Sequence, residues 1–272
     1  MINALGIDLE EWYHLCGVDY LDTLRDSDIL KSRVEANTER LLAILKKAGV
    51  RATFFVLGSL AQRYPELVKR ISSDDHEIAC HGLHHREVYK QARENFTQDL
   101  KTAKEILQSI TGRTVLGFRA PDFSITNHSF WAVDVLLELG FRYDCSIFPI
   151  KHPRYGIPNA PRFVYDIREG LKEFPPSTLR ILGNNFPFAG GAYFRVCPYW
   201  LVRWAIKKVN GEGSPVNFYL HPWELDHLQP RIKLPPARAF AHYVNLEGAE
   251  SKFRRLLKDF KFAPVCEVLR II

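Results

Sequence analysis

The chain has 272 residues, of which 46% are hydrophobic and 25% are charged, and its formal net charge is +6. These values are ordinary for a globular protein, and the length favours one domain of barrel size over two small ones. The positive charge is spread along the chain without a dense Lys/Arg block, a zinc-finger spacing or an RNP-like run. The sequence therefore gives no support for nucleic-acid binding.

The cysteines argue against a disulfide framework. Their number is odd, they are widely scattered, and no two form a C-x-x-C pair, which favours a reducing compartment. They are Cys16, Cys80, Cys145, Cys197 and Cys266. The N-terminal sequence M-I-N-A-L-G-I-D-L-E lacks the features of a secretory signal, and no run approaches the ~18 apolar residues of a membrane span. We therefore predict a cytoplasmic protein without a transmembrane segment, and its oligomeric state stays open.

The first half of the chain alternates apolar runs with helical periodicities. The predicted strands are Ile2–Leu9, Ala52–Leu57, Glu77–Cys80, Val115–Phe118 and Tyr143–Phe148. The predicted helices are Arg33–Gly49, Tyr64–Ser72, Asn95–Thr111 and Ser129–Leu139. Alternation of this kind with short links predicts an α/β fold, in which parallel strands are joined by crossover helices.

The second half of the chain begins with a region of different character. Lys151–Asn184 is rich in proline and has few periodic apolar residues, so we predict long loops and short strands over the rim of the fold. We interpret Gly190–Arg195 as a turn into a strand. The remaining predicted elements are a helix at Pro198–Val209, a strand at Pro215–Leu220, a helix at Glu247–Phe260 and a closing segment at Val265–Leu269. Residues 1–272 are thus predicted to form a single domain with a loop-rich insertion around 151–195.

Carboxylates and histidines follow two of the predicted strands. Asp8 and Glu10 lie at the end of the first strand, where buried carboxylates need partners, and side chains two apart on a strand share a face. His81 and His85, in E-I-A-C-H-G-L-H-H, have a spacing that can place both imidazoles on one side of a turn. Two imidazoles and a carboxylate suit a divalent metal ion. The alternatives are helix-capping acids and solvated or capping histidines.

Two further polar motifs also follow predicted strands. They are Arg119-Ala-Pro121 and His221-Pro-Trp-Glu224. Because ligand sites of α/β barrels lie at the carboxyl ends of the strands, we expect both motifs at the same rim as the carboxylates and histidines. The alternatives are a surface salt bridge for Arg119 and a satisfied strand-end histidine for His221.

Taken together, these segments resemble the polysaccharide deacetylase (NodB-homology, carbohydrate esterase family 4-like) family from Ile7 to about Leu225. G-I-D-L-E-E-W is similar to the family's first motif, H-G-L-H-H to its metal-binding H-x-x-x-H, F-R-A-P-D to its Arg-x-Pro motif, and Leu220-His221 to its late Leu-x-His motif. H-P-x-Y-G, G-G-x-Y-F-R and H-P-W-E resemble deacetylases associated with exopolysaccharide export. The D-x-acid and H-G-x-x-H forms resemble the peptidoglycan-deacetylase and cyclic-amidase branch. The resemblance implies a distorted (β/α) TIM-like barrel of the NodB-homology type.

The resemblance also implies an activity, the metal-dependent removal of N-acetyl groups from an amino-sugar polysaccharide or glycan precursor. Glu10, His81 and His85 would be the metal ligands, with Zn²⁺ as the first choice and Co²⁺, Ni²⁺ or Mn²⁺ as alternatives. The other implied roles are a general base (Asp8), a residue that holds this base (Arg119), an acid for the leaving nitrogen (His221) and a backbone N–H donor to the oxyanion (Asp122).

The sequence departs from the family's common form at several positions. Leu9 separates Asp8 from Glu10, where the common form has two adjacent aspartates, and Glu11 should face away if the strand continues. Gly82 and Asp122 replace the usual Ser/Thr and Tyr. Trp12, Tyr193 and Trp223 could stack on a sugar ring, although core packing is commoner for aromatic side chains. Tyr155 could shape the substrate groove, and the alternative is a role in the loop scaffold.

Two other functions stay open. The first is hydrolysis of a small cyclic amide or ureide on the same fold. The second is a metal-binding but non-catalytic carbohydrate-binding domain, which is disfavoured because a base, an acid and metal ligands are all predicted.

Overall fold

The computed structural model of the protein describes residues 1–18 and 30–271. The strands are β1 (Ile2–Leu9), β2 (Thr53–Val56), β3 (Glu77–Cys80), β4 (Gly117–Phe118), β5 (Tyr143–Asp144), β6 (Tyr165–Arg168), β7 (Leu171–Glu173), β8 (Thr178–Ile181), β9 (Asn184–Pro187), β10 (Asn217–Leu220) and β11 (Lys261–Ala263). The helices are α1 (Val34–Ala48), α2 (Gly58–Arg63), α3 (Pro65–Ser73), α4 (Arg93–Thr111), α5 (Ala132–Glu138), α6 (Gly191–Val196), α7 (Tyr199–Gly211), α8 (Pro236–Tyr243), α9 (Leu246–Asp259) and α10 (Val265–Leu269). Short 3₁₀ helices lie at Val88–Lys90, Pro121–Phe123, Asn127–Ser129 and Pro222–Leu225.

Nine of these strands form one curled sheet. Their order is β10-β1-β2-β3-β4-β5-β7-β6, and β11 pairs with the first residues of β1. Only the β6–β7 pair of this sheet is antiparallel, while β8 and β9 form a separate hairpin. A curled, mainly parallel sheet with helices between its strands confirms the predicted distorted α/β barrel.

The side-chain pattern of β1 explains why its polar residues lie on the inner face of the curled sheet. Leu5, Ile7 and Leu9 are buried in the main core, which also contains Leu41 and Leu45 of α1. Because side chains alternate along a strand, the residues between them point to the opposite face. The helices therefore cover the outer face of β1. Asp8 lies on the inner face, close to Glu10, which follows the strand.

The carboxyl ends of the central strands are in register. Leu9 pairs with Val56, Val56 with Cys80, and Cys80 with Phe118. On the other side of β1, Ile7 pairs with Leu220. The residues that follow these strands therefore leave the sheet at one rim, and they are Glu10, His81, Arg119 and His221.

The prediction of a strand at Gly190–Arg195 is wrong, because this segment forms α6. Gly190 has a φ of 146° and Gly191 a φ of 53°, and both lie directly against Tyr219. A Cβ on Gly190 would lie 2.3 Å from the Tyr219 carbonyl oxygen. Contacts with β10 thus set the backbone here and override the strand preference of the Tyr-Phe pair that follows.

The region predicted as rim loops is partly built into the sheet. β7 pairs in parallel with β5, and β6 adds an antiparallel edge strand. The sequence also gave no indication of α2, α8 or β11, which are short elements with little periodicity of their own. In the part of the chain that the structure describes, no helix combines the length and the apolar character that a membrane crossing requires.

Candidate active site

A carboxylate and two imidazoles converge at the rim. Glu10 Oε1 lies 2.8 Å from Nε2 of His81 and 2.8 Å from Nε2 of His85. All three residues are buried, and their potential ligand atoms lie within 4.8 Å of one another. The segments that follow β1 and β3 thus bring the three predicted metal ligands together.

The loop after β3 turns sharply between the two histidines. Gly82 has a φ of 83°, a conformation that glycine adopts without strain. His85 has a φ of 55°, and a non-glycine residue in this region costs about 1–3 kcal/mol. The surrounding structure must therefore hold His85 in this conformation, in which its ring contacts Glu10.

Both imidazoles have a partner for their other ring nitrogen. His81 Nδ1–H donates to the Arg119 carbonyl oxygen at 2.7 Å, and His85 Nδ1 lies 3.5 Å from Cys16 Sγ. Such contacts fix the orientation of each ring and leave Nε2 facing Glu10, as is usual for metal-binding histidines. The contact of Cys16 was not predicted, because nothing in its local sequence distinguishes it from a core cysteine.

The electrostatics of the cluster fit a cation. Burial alone would raise the pKa of Glu10, but His85, His221 and His81 hold it well below its usual value. Burial alone would lower the pKa of His85, but Glu10 raises it well above its usual value. A buried carboxylate that draws positive charge onto its neighbours is a place where a divalent ion would be stabilised. The donor set and its outer contacts therefore fit the metal ion implied by the resemblance.

Asp8 lies beside these ligands and is held by Arg119. Asp8 Oδ1 accepts a hydrogen bond of 2.6 Å from Arg119 Nη1, and Arg119 Nη2 donates to Asn217 Oδ1 at 3.3 Å. Arg119 is fully buried, and its guanidinium carbon lies 4.0 Å from the ring centroid of Phe55. Gly6 makes room for it, since a Cβ there would lie 2.8 Å from Arg119 Nη1. The burial of Arg119 rules out the alternative of a surface salt bridge.

His221 faces both carboxylates across the site. Its Nε2 lies 3.8 Å from Asp8 Oδ2 and 3.8 Å from Glu10 Oε2, and its Nδ1–H donates to Glu224 Oε1 at 2.7 Å. Burial alone would lower the pKa of His221, but Glu10, Glu224 and Asp8 raise it to about 9. An imidazole that Glu224 orients in this way can donate a proton from Nε2.

Sequence reasoning missed two buried residues behind His221. Glu224 Oε2 accepts a hydrogen bond of 2.6 Å from Arg195 Nε, and Arg195 also donates to three backbone carbonyls in the segment 241–244. Burial opposes the charge on Glu224, but Arg195 and His221 lower its pKa to about 2. The i,i+3 spacing of His221 and Glu224 could have indicated this contact, because it places a carboxylate about one helical turn from His221, the predicted general acid.

Asp122 lies beside the site, and its side chain makes a contact that was not predicted. Its backbone lies in the left-handed region with a φ of 51°, and the residue lines the cavity above the cluster. Its carboxylate pairs with Arg154, a contact that the sequence did not indicate. Burial raises the pKa of Asp122 to about 6, although Arg154 and Arg238 oppose this. Its role as a backbone N–H donor stays a prediction.

A cavity of about 260 Å³ opens onto the Glu10–His81–His85 cluster. Tyr155, Tyr193 and Trp223 line it, as do Asp8 and His221. The hydroxyl oxygens of Tyr155 and Tyr193 lie 3.0 Å apart. These three aromatic residues are therefore placed where a substrate could contact them.

The assignment of Trp12 to substrate stacking is corrected by its position. Trp12 is fully buried, and its Nε1–H donates to the Lys31 carbonyl oxygen at 3.1 Å. It belongs to an apolar cluster with Tyr13, Trp223 and Leu246, and it does not line the cavity. Because β1 ends at Leu9, the alternation that places Asp8 on the inner face does not extend to Trp12.

Glu11 points away from the Glu10–His81–His85 cluster, toward the start of α1. Its carboxylate accepts hydrogen bonds from the Ser32 hydroxyl and, at 3.0 Å, from the Arg33 backbone N–H. Burial raises the pKa of Glu11, which these hydrogen bonds only partly offset. Glu11 thus ties the end of β1 to the first turn of α1.

We expect Glu10→Ala to weaken metal binding and Glu11→Ala to leave it intact. Removing the Glu11 carboxylate breaks two half-buried hydrogen bonds, from Ser32 and Arg33, so Glu11→Ala should lower the free energy of unfolding by about 1–3 kcal/mol. Metal content after dialysis and urea unfolding of both variants measure the two effects. Metal loss in Glu11→Ala with retention in Glu10→Ala would show that the ligand had been assigned to the wrong residue.

Comparison with known proteins divides the chain into two matched segments. Residues 26–143 match the family model described as Polysaccharide deacetylase. Residues 145–270 match a second model, described as Domain of unknown function (DUF3473). The site draws on both segments and on the residues before them, because His81 and His85 lie in the first, His221 in the second and Glu10 ahead of both.

Individual relatives agree with the family match. The chain is 32% identical over 98 residues to a peptidoglycan-N-acetylglucosamine deacetylase of Bacillus cereus, which is 36% of this chain and 36% of that protein. The matches to curated relatives span about a third of those proteins' lengths. A solved structure from Mycobacterium smegmatis, provisionally described as a polysaccharide deacetylase, has a TM-score of 0.60 at 21% identity, over 99% of this chain and 88% of that one. Puue allantoinase has a TM-score of 0.62 at 15% identity, over 98% and 88%. At these identities the two structures show the fold.

Proposed function

We propose, on the match of residues 26–143 to the Polysaccharide deacetylase family model, that the protein is a metal-dependent hydrolase that removes N-acetyl groups from an amino-sugar polysaccharide or glycan precursor. One observation carries this proposal. Around a single cavity, the Glu10–His81–His85 cluster lies beside a carboxylate held by arginine and an imidazole held by a second carboxylate. Amide hydrolysis needs these groups together, whereas glycan binding alone needs none of them.

The three ligands have a defined part in the proposed reaction. Glu10, His81 and His85 would hold a divalent ion, for which Zn²⁺ is our first choice given the two-imidazole, one-carboxylate donor set. When bound, such an ion supplies Lewis acidity toward a carbonyl oxygen and lowers the pKa of a water molecule.

The chain's own acid and base groups complete the reaction. Asp8 takes a proton from the attacking water at Oδ2, while Arg119 holds Oδ1 and so fixes the carboxylate plane. His221 delivers its Nε2 proton to the departing nitrogen, and Glu224 holds the opposite side of the ring. The 3.8 Å between His221 Nε2 and Asp8 Oδ2 keeps base and acid close enough to act on one tetrahedral centre.

The proposal predicts metal-dependent acetate release. Purified protein supplied with Zn²⁺ or Co²⁺ should release acetate from chitotetraose or from N-acetylated peptidoglycan strands. Chelation should abolish this release, and added metal should restore it. Allantoin serves as the comparison substrate for the cyclic-amide alternative. Glycan binding without acetate release from any substrate would instead identify a non-catalytic carbohydrate-binding domain.

A further inference from the structure

Two carboxyl groups that the proposed reaction does not use lie together in the interior of the sheet. Asp144 on β5 pairs with Glu173 on the parallel strand β7, and both side chains are fully buried. One oxygen of each accepts a backbone hydrogen bond, Asp144 Oδ1 from the Cys145 N–H at 2.8 Å and Glu173 Oε1 from the Ile147 N–H at 3.0 Å. The two side chains also form a hydrogen bond with each other.

A hydrogen bond between two carboxyl groups requires a proton on one of them, because an ionised carboxylate can only accept. Burial raises the pKa of Glu173 well above its usual value, and the neighbouring Asp144 raises it further. Burial also raises the pKa of Asp144 to about 6, although the hydrogen bond from Glu173 and the charge of Arg119 oppose this rise. The pair therefore carries one proton at neutral pH, which Glu173 donates to Asp144.

The groups around this pair favour a single negative charge on it. Among the described residues, Arg119 is the cation that acts on both carboxyl groups, and it is itself paired with Asp8. Cys145 and Tyr165 also interact with both carboxyl groups, and burial together with these carboxyl groups raises the pKa of each. Both are therefore neutral at pH 7. A second negative charge on the pair would leave buried charge that Arg119 cannot balance.

Ser146 connects the pair to the segment that carries Arg119. Its hydroxyl donates to Asp144 Oδ1 and accepts a hydrogen bond of 2.7 Å from the Ala120 N–H. The carbonyl oxygen of the same peptide group belongs to Arg119, and it accepts the 2.7 Å hydrogen bond from His81 Nδ1. One peptide group is thus held at its N–H by the buried pair, through Ser146, and orients a proposed metal ligand with its carbonyl oxygen.

We propose that Asp144 and Glu173 share one proton and act as positioning residues for the active site, by holding the Arg119–Ala120 peptide through Ser146. This inference rests on the proposed deacetylase function, and it adds a buried support for the arginine that holds the base and for the His81 ring. With the proton present, Asp144 accepts from both Glu173 and Ser146. Without it, two buried carboxylates in contact repel each other, and the hydrogen bond that holds the peptide is disturbed.

Infrared difference spectroscopy tests the shared proton without reference to activity. A protonated carboxyl group has a C=O stretching band that ionised carboxylates lack. The wild-type spectrum at pH 7 minus that of Glu173→Gln should contain one such band, because the variant has an amide in place of the protonated acid. A difference spectrum without this band would show that the pair holds no proton and would overturn the inference.

Thermal unfolding across pH provides a second test of the shared proton. Because folding raises the pKa of Glu173, the folded protein keeps a proton that the unfolded chain releases above about pH 4, so the wild type loses stability as the pH rises toward the folded pKa. Glu173→Gln keeps a permanent N–H donor and lacks this loss. Above pH 6, we expect the melting temperature of the wild type to fall relative to that of Glu173→Gln by about 3–5 °C for each pH unit, until Glu173 ionises.

Asp166→Asn is the matched control for this comparison. Asp166 lies on the neighbouring strand β6, where its exposed carboxylate pairs with Lys172 at 2.7 Å. This variant should follow the pH dependence of the wild type. Parallel curves for the wild type and Glu173→Gln would contradict the shared proton.

Kinetics test the positioning role. Ser146→Ala and Glu173→Ala should each lower kcat for acetate release by about 10- to 100-fold with little change in KM, because the peptide orients catalytic groups and is not expected to bind the glycan. Glu173→Gln should restore most of kcat, since its amide can donate to Asp144. The losses of the two alanine variants should be non-additive in the double variant, because both break the same chain of hydrogen bonds.

The outcomes separate this inference from the proposed function. Acetate release with an unchanged kcat in Ser146→Ala and Glu173→Ala would overturn the positioning role and leave the deacetylase proposal standing. If no substrate releases acetate, the function proposal fails, and Zn²⁺ affinity decides the inference. Affinity that is at least about threefold weaker in Ser146→Ala than in Asp166→Asn would support it, since an outer partner of a metal ligand typically contributes about 10–100-fold and Ser146 lies one contact further out. Equal affinity would overturn it.

Discussion

Replacing either His81 or His85 by alanine is expected to remove bound metal and acetate release together. Each imidazole supplies one of three converging donors, and both lie in a buried cluster where water is a poor substitute. Losing an outer partner of a metal ligand typically costs about 10–100-fold in affinity, and losing the ligand itself should cost more. Metal content after dialysis and acetate release from chitotetraose measure the two losses.

His84 provides the matched control for this experiment. It lies in the same loop but is exposed, and it does not belong to the Glu10–His81–His85 cluster. His84→Ala should therefore keep both metal and activity. Stoichiometric metal in both His81→Ala and His85→Ala would remove the proposed site.

The parts of the site that could be predicted from sequence are those encoded locally. Alternation along β1 placed Asp8 on the inner face, and the strand was predicted with its observed bounds. The same is true of β3, from which His81 emerges. Because parallel strands of a barrel end at one rim, two correct strand ends are enough to bring carboxylate and imidazole together.

The parts that could not be predicted depend on contacts between distant segments. Arg195 reaches Glu224 only because Gly190 and Gly191 fold against Tyr219, and an isolated Tyr-Phe sequence gives no sign of this. Trp12 was assigned to the substrate because it is aromatic and close to Asp8 in sequence. It is buried in an apolar cluster that includes Trp223 and Leu246, both more than two hundred residues away in sequence.

Arg119 depends both on its local sequence and on contacts with distant segments. Its place after β4 and its contact with Asp8 were predicted, but its contacts with Gly6 on β1 and Asn217 on β10 were not. Asn217 is itself held, since its Nδ2 donates to the Phe174 carbonyl oxygen at 2.6 Å. Arg119 is therefore fixed from three strands, and through its Nη1 it fixes Asp8. This rigidity is what a general base requires, because proton transfer depends on the position of the accepting oxygen.

Asp8→Asn is expected to keep the fold and most of the bound metal while kcat falls by about 10²–10⁴-fold, the usual contribution of a general base. Asparagine has nearly the shape of aspartate and can still accept a hydrogen bond from Arg119, but it cannot take up a proton at neutral pH.

Arg119→Ala should lower kcat through the same carboxylate, so the effects of the two substitutions should be strongly non-additive in the double variant. Because breaking a buried ion pair costs about 3–5 kcal/mol, thermal unfolding of each variant separates lost activity from lost structure, and Arg119→Lys serves as the charge-retaining control. Additive losses in kcat would contradict the Arg119–Asp8 pairing as a catalytic unit. Loss of metal from a folded Asp8→Asn would make Asp8 a ligand, and the base would then have to be sought elsewhere on the cavity wall.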